Sequence, residues 1–79
     1  MKYVYLLKSL SSPEKRYFGI ASNLKRRLGE YNSGLSKHTA NFGPWRVETY
    51  LGFSDEKKAR DFEKYLKTGS GKAFSQKRL

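Results

Sequence analysis

Tyr5, Tyr17, Arg27 and Glu63 are the residues of this chain whose types and spacing suit work on a phosphodiester. An arginine offers a rigid fork of donors that can clamp two oxygens of one phosphate and stabilise the charge that develops there. Glu63 falls in the inward-facing set of a helical stretch, where a carboxylate is costly unless it is paired or holds a metal. It suits one hard divalent cation, most simply Mg²⁺, with waters and a phosphate oxygen completing the shell. A tyrosine would position the attacking water and take its proton. A free phenol titrates near a pKa of about 10, so a neighbouring cation or the metal must lower it. His38 is a candidate proton shuttle or phosphate contact. Which of Tyr5, Tyr17 and His38 is the base stays open at this level.

Each residue also has an ordinary explanation. Strand tyrosines pack in cores and at rims, an arginine can snorkel along a core edge, and a histidine in a polar loop is usually solvated. Glu63 can pair with Lys67 one helical turn on. The joint spacing carries the case, not any one residue.

The stretch Arg16 to Asn32, Arg-Tyr-Phe-Gly-Ile-Ala-Ser-Asn-Leu-Lys-Arg-Arg-Leu-Gly-Glu-Tyr-Asn, reads as strand, polar turn and basic amphipathic helix. Tyr17, Phe18 and Ile20 favour a strand, and Ser22 and Asn23 are good helix N-caps. Leu24, Arg27, Leu28 and Tyr31 recur at i, i+3, i+4 and i+7 and share a face, while Lys25 and Arg26 serve the solvent side. Gly29 within that helix costs about 1 kcal/mol relative to alanine and is read as a close approach of backbone.

Before this stretch, Tyr3 to Leu7 is apolar or aromatic on both faces, which predicts a central strand. Serines and Pro13 then mark a loop, so Tyr17 to Ala21 pairs with the first strand as an antiparallel hairpin. The polar residues 35–43 could hold a short helix but are read as a surface segment. Trp45 to Leu51 alternates as a third strand, with Trp45, Val47 and Thr49 on one face. Ser54 is the expected cap of a helix running to about Thr68, with Gly69 as its C-cap and Gly69-Ser70-Gly71 as a flexible turn. One further helical turn would carry Phe74 into the core. The reading is an α+β domain spanning 1–79, a three-stranded antiparallel sheet in the order 2-1-3 flanked by helices.

Seventeen lysines and arginines stand against seven acidic residues, a net charge of +10 over 79 residues. That excess predicts a polyanionic partner, most simply nucleic acid, with Lys25, Arg26, Tyr31, Lys37 and Lys72 as candidate contacts. No helix sets a clean apolar face against a lysine-rich one, which argues against a membrane surface. Cysteine is absent, which excludes thiol nucleophiles, disulfides and cysteine zinc sites. The apolar run at the start is too short for a signal peptide or membrane span, so a cytoplasmic location is expected.

Tyr3-Val4-Tyr5 followed by Tyr17-Phe18-Gly19 resembles the paired tripeptides that name the GIY-YIG nuclease family. Gly19 to Leu28 is similar to that family's strand-turn-helix, with Arg27 at the place of its catalytic arginine. Ala59 to Lys67 resembles the helix bearing the metal-binding glutamate, here Glu63. The resemblance covers nearly the whole chain and looks closest to small stand-alone members. It implies metal-dependent DNA cleavage through one Mg²⁺ or Mn²⁺. Many members carry a histidine one turn after the arginine, where this chain has Tyr31. Several have a late asparagine, for which Ser70 or Ser75 is the substitute here. Larger members append DNA-binding domains, so specificity is expected from the nuclease surface or from a partner protein.

The leading expectation is an endonuclease acting on DNA by structure rather than sequence, in repair or recombination. Its competitor is a catalytically silent nucleic-acid-binding module that stacks bases on Tyr3, Tyr17, Phe42, Trp45 and Tyr50. A ribosome-associated structural protein also fits the charge but leaves Arg27 and Glu63 without a role.

Overall fold

The computed structural model describes residues 1–34 and 37–79, apart from the side chains of Lys37 and His38. Its elements are β1 (Lys2–Ser9), β2 (Arg16–Ala21), α1 (Leu24–Asn32), α2 (Lys37–Ala40), β3 (Trp45–Phe53), α3 (Glu56–Leu66) and α4 (Gly69–Arg78). The strands form one antiparallel sheet in the order β2-β1-β3, as the two-sided apolar pattern of β1 requires. Val4, Tyr5, Leu6 and Leu7 are each at most 2% exposed, so the central strand is buried on both faces.

Each face has its own core. Tyr5, Leu7, Ala21 and Trp45 cluster on one side, with Leu24, Leu28 and Tyr31 of α1 packed over them. Val4, Ala59 and Leu66 cluster on the other, where α3 lies with Phe18, Ile20, Phe53 and Phe62. Full burial of a side chain such as Leu66 is worth about 1.5–3 kcal/mol. The helices therefore arrive at opposite faces of a single sheet, a point that bears on the site.

The alternation expected along β3 breaks midway. Thr49 sits opposite Leu6 and Val47 opposite Leu7, so the register shifts and Glu48 is the extra residue of a bulge. Trp45 and Val47 keep the Tyr5 face. Thr49 instead faces the other layer with Val4, Leu6 and Leu66. Glu48 points there too, within 3.5 Å of Arg16 and 4.0 Å of Lys8.

Several helix ends differ from expectation. Asn23 caps α1 by accepting from the Arg26 amide. Asp55, not Ser54, caps α3, taking the amides of Lys57 and Lys58. Gly69 does not end α3. That helix closes at Leu66, Thr68 accepts from the Gly71 amide as a fresh N-cap, and α4 runs on to Arg78. A flexible turn is thus replaced by helix, because Gly71 lies so close to the Tyr65 carbonyl and the Leu66 backbone that a β-carbon would overlap them. Phe74 stays 37% exposed, meeting Phe62 and Tyr65 at the rim instead of entering the core. Gly29 marks no close approach, since a β-carbon there would meet open space. Within the segment read as surface with room for a short helix, residues 37–40 form α2.

Candidate active site at the β2 edge

Tyr5 stands at the middle of β1, opposite Gly19 on β2 and Tyr50 on β3. Its ring lies across Gly19, and the hydroxyl fills the space that a β-carbon at position 19 would take. The side chain is only 2% exposed. Because β2 is the outer strand, this crossing carries the phenol from the buried centre of the sheet toward its rim.

Tyr31, one helical turn beyond Arg27 on α1, meets the phenol there. The hydroxyls of Tyr5 and Tyr31 are 3.4 Å apart. The rings of Tyr17 and Tyr31 are 5.3 Å apart and tilted by 59°. Burial first, then the hydroxyls of Tyr5 and Tyr17, push the Tyr31 pKa far above that of a free phenol, so Tyr31 stays neutral. It can donate or accept a hydrogen bond here but has no accessible phenolate.

Arg27 reaches the same place from α1. Burial pulls its pKa down, but the facing Tyr5 phenol, Glu30 and Tyr31 outweigh that and favour the charged form. Its Nε lies 3.1 Å from Glu30, and the side chain remains 44% exposed. The guanidinium is thus tethered by a carboxylate at the surface, where an incoming anion can compete for it.

Glu63 comes from the opposite layer. Ala59, fully buried, and Leu66, 1% exposed, clamp α3 beneath the sheet. Glu63 lies between them and is left only 15% exposed, with its Oε2 at 2.6 Å from Lys67 Nζ. The hydrogen bond that Lys67 donates to Glu63 raises the Lys67 pKa; burial opposes this, while the charges of Glu63, Tyr17 and Tyr5 reinforce it. Lys67 therefore lies within electrostatic reach of both strand tyrosines, and Glu63 is its partner.

The donor set around Glu63 can be compared with what a divalent ion needs. Among the described residues no three His, Cys, Asp or Glu side chains converge. A cage built wholly from protein is therefore absent among them. Mg²⁺ does not need one: it keeps several waters and is commonly held by one or two carboxylates plus substrate phosphate. A partly exposed carboxylate whose partner is a mobile ammonium fits that mode.

The remaining candidates fall around this point. Arg26 is 3.4 Å from Glu30 and lines a groove of about 440 Å³ with Lys2, Ile20, Asn23, Arg27 and Arg60, among others. Lys25 and Lys72 are exposed, on α1 and α4. The side chains of Lys37 and His38 lie outside the described residues. Ser75, one substitute for a late asparagine, is 1% exposed and donates to the Lys72 carbonyl, so it has no access to a substrate. Lys2, Arg60 and Lys67 were missed as members of this surface. Only Lys67 had a visible signal, its i+4 spacing from Glu63.

A tyrosine-crossed edge strand, an arginine on the following helix and a half-hidden glutamate on a later one are the arrangement of a GIY-YIG domain. A family model described as the GIY-YIG catalytic domain matches residues 1–78, and the chain belongs to that family. A curated relative is the "Structure-specific endonuclease subunit SLX1 homolog" of Giardia intestinalis, 34% identical over 65 residues. The match takes in 77% of this chain but 18% of that protein, so the chain spans under a fifth of its relative's length. No solved structure matches the chain.

Proposed function

We propose that this chain is a divalent-metal-dependent endonuclease that hydrolyses DNA phosphodiester bonds, selecting substrate structure over sequence, in repair or recombination. The observation that carries this reading is the grouping of Tyr5, Tyr17, Tyr31 and Arg27 at the β2 edge, with the Glu63–Lys67 pair of α3 within electrostatic reach of the two strand tyrosines. A packing role for any one of them does not account for all. The relative's printed name, a structure-specific endonuclease subunit, supports the preference for structure and the idea of a partner protein that supplies specificity.

The roles follow from the geometry. Arg27 exchanges Glu30 for two oxygens of the scissile phosphate and stabilises the charge that builds on them. Tyr5 or Tyr17 orients the attacking water and accepts its proton. Tyr31 remains a neutral hydrogen-bonding partner that holds the Tyr5 hydroxyl in place. Glu63 is the residue that would hold Mg²⁺ or Mn²⁺. Once bound, that cation supplies Lewis-acid polarisation of the phosphate and charge neutralisation at the leaving oxygen. Lys67 gives up Glu63 and remains within electrostatic reach of the phenols as a positive charge facing the substrate.

Binding has its own supports. The net charge of +10 favours phosphate contacts through counterion release. The groove lined by Lys2, Arg26, Arg27 and Arg60 offers a path for the strand next to the scissile bond. Among the described residues no helix is long and apolar enough to cross a membrane.

The test is cleavage of labelled single-stranded, duplex, flapped and four-way-junction DNA with Mg²⁺, Mn²⁺ or EDTA, with Glu63→Ala and Arg27→Ala beside the native protein. Metal-dependent products lost in both variants are expected, with flapped or branched DNA preferred over plain duplex. Salt-sensitive binding without products under every condition would overturn the nuclease in favour of a silent binding module.

A further inference from the structure

Beyond the candidate catalytic set, the start of β2 borders a second opening. Lys15, Arg16, Tyr17, Thr39, Phe42 and Trp45 line a cleft of about 130 Å³. Its chemistry differs from that of the basic groove. Three of the six residues are aromatic, and two are cations. Trp45, at 5% exposure, is the most buried of the three rings, while Tyr17, at 36%, is the most open. The indole N–H of Trp45 is committed to the Thr39 carbonyl, which fixes the ring in place. Lys15 Nζ lies 5.2 Å from the centre of the Phe42 ring, so aromatic surface and positive charge are already side by side.

We infer that this cleft receives an unpaired base of the nucleotide next to the scissile phosphate, stacked against Tyr17 and Phe42, with Lys15 on its phosphate. The inference rests on the nuclease reading above, which it deepens by naming the substrate class. Position along β2 supports it. Ile20 and Ala21, at the far end of the strand, line the basic groove. Gly19, crossed by Tyr5, lies between. Arg16 and Tyr17 line the cleft. A strand of DNA following this edge meets phosphate-binding cations, then the candidate catalytic set, then an aromatic slot. Tyr17 belongs to both of the last two, so the base in the slot adjoins the reacting phosphate.

A base within a duplex is stacked on its neighbours and paired, and cannot enter such a slot without being flipped out. A flap, a bubble or a splayed junction offers one already free. Stacking of a base on an aromatic side chain is sequence-tolerant, because every base has a π-face. The cleft thus gives a physical basis for reading structure without reading sequence.

The experiment uses flapped DNA in which a single abasic nucleotide is moved stepwise through the junction, with binding measured in EDTA and cleavage measured in Mg²⁺. The native protein is expected to lose about fivefold or more in affinity at one position only, adjoining the cut, as loss of one stacked base implies. 2-Aminopurine at that position is expected to be quenched on binding. Phe42→Ala should erase the abasic penalty, and the surface change Lys15→Gln should weaken binding while leaving the penalty in place. A flat abasic profile with undiminished cleavage would overturn the cleft and leave the nuclease standing. A single-position penalty in binding with no cleavage of any substrate would do the reverse. The abasic scan needs no altered protein, so misfolding of Phe42→Ala would not blunt the test.

Discussion

The Tyr5 ring rests on Gly19, and the two residues are paired across adjacent strands with no room for a side chain on the second. This makes the glycine a requirement of the phenol's position. Gly19→Ala places a methyl where the Tyr5 hydroxyl and outer ring now stand. That ring is buried and hemmed in by Tyr31, so relief has to come from a shift of the site itself. We expect a loss of about 1–3 kcal/mol in stability, as for other overpacked interiors, and a fall in cleavage at protein concentrations and temperatures where the variant remains folded. Urea unfolding alongside initial cleavage rates checks both. Gly29→Ala is the matching control: its new methyl meets open space in a helix and should stabilise by about 0.5–1 kcal/mol.

On the proposed reading, Lys67 competes with the metal ion for Glu63. Lys67→Gln removes the ammonium that lies 2.6 Å from the carboxylate. The pair is partly exposed, so its coupling is expected to be worth no more than about 1 kcal/mol. Mn²⁺ binding, followed by titration calorimetry without DNA, should therefore tighten by up to about fivefold. Unchanged or weaker Mn²⁺ affinity would remove Lys67 from the description of that site. Glu63→Gln should abolish the calorimetric signal.

Alkaline pH should loosen the fold through Tyr31. Its pKa is raised in the folded chain above that of a free phenol, so the folded state holds the proton more tightly than the unfolded one. The stabilising contribution is complete below the unfolded value of about 10 and declines as pH rises beyond it toward the folded value. Urea midpoints measured from pH 8 to 11 should fall at the upper end. Tyr31→Phe should show a shallower fall over the same range, and equal slopes would contradict the assignment.

Asn32 fastens the end of α1 to β3. Its side-chain oxygen accepts from the Trp45 amide at 2.7 Å and its nitrogen donates to the Trp45 carbonyl at 2.9 Å. Asn32→Ala strips partners from both backbone groups of a buried residue, at a cost of about 1–3 kcal/mol. The denaturation midpoint should drop accordingly. Arg27, on the same helix, should lose grip on DNA at concentrations of urea that leave the sheet intact.

The strands and their order were legible because the signals were local: β1 is apolar on both faces, and Tyr17, Phe18 and Ile20 favour a strand. The bulge at Glu48 was hidden, since an extra residue in β3 shows only once its partners on β1 are known. Gly69-Ser70-Gly71 reads as a turn by propensity, yet Thr68 caps it and the tight seat of Gly71 on α3 makes it helix. At the candidate site, Tyr5, Tyr17, Arg27 and Glu63 could be named from type and spacing. The approach of Tyr5 to Arg27 and Tyr31 could not, because the passage of its ring over Gly19 shows only once β1 is paired with β2. Lys2 and Arg60 gave no signal at all, as distant cations look alike in a basic chain.

The lack of any fully buried residue in α1 has a consequence for motion. Regions with few buried contacts open at a small fraction of the global unfolding free energy, whereas β1 carries four consecutive core side chains. Amide hydrogen exchange should accordingly be fast along Leu24–Asn32 and slowest in Val4–Leu7. Arg27 then rides on a segment that opens easily, and Tyr5 on the segment that yields last, so the two side chains can part or close by movement of one helix while the phenol keeps its place.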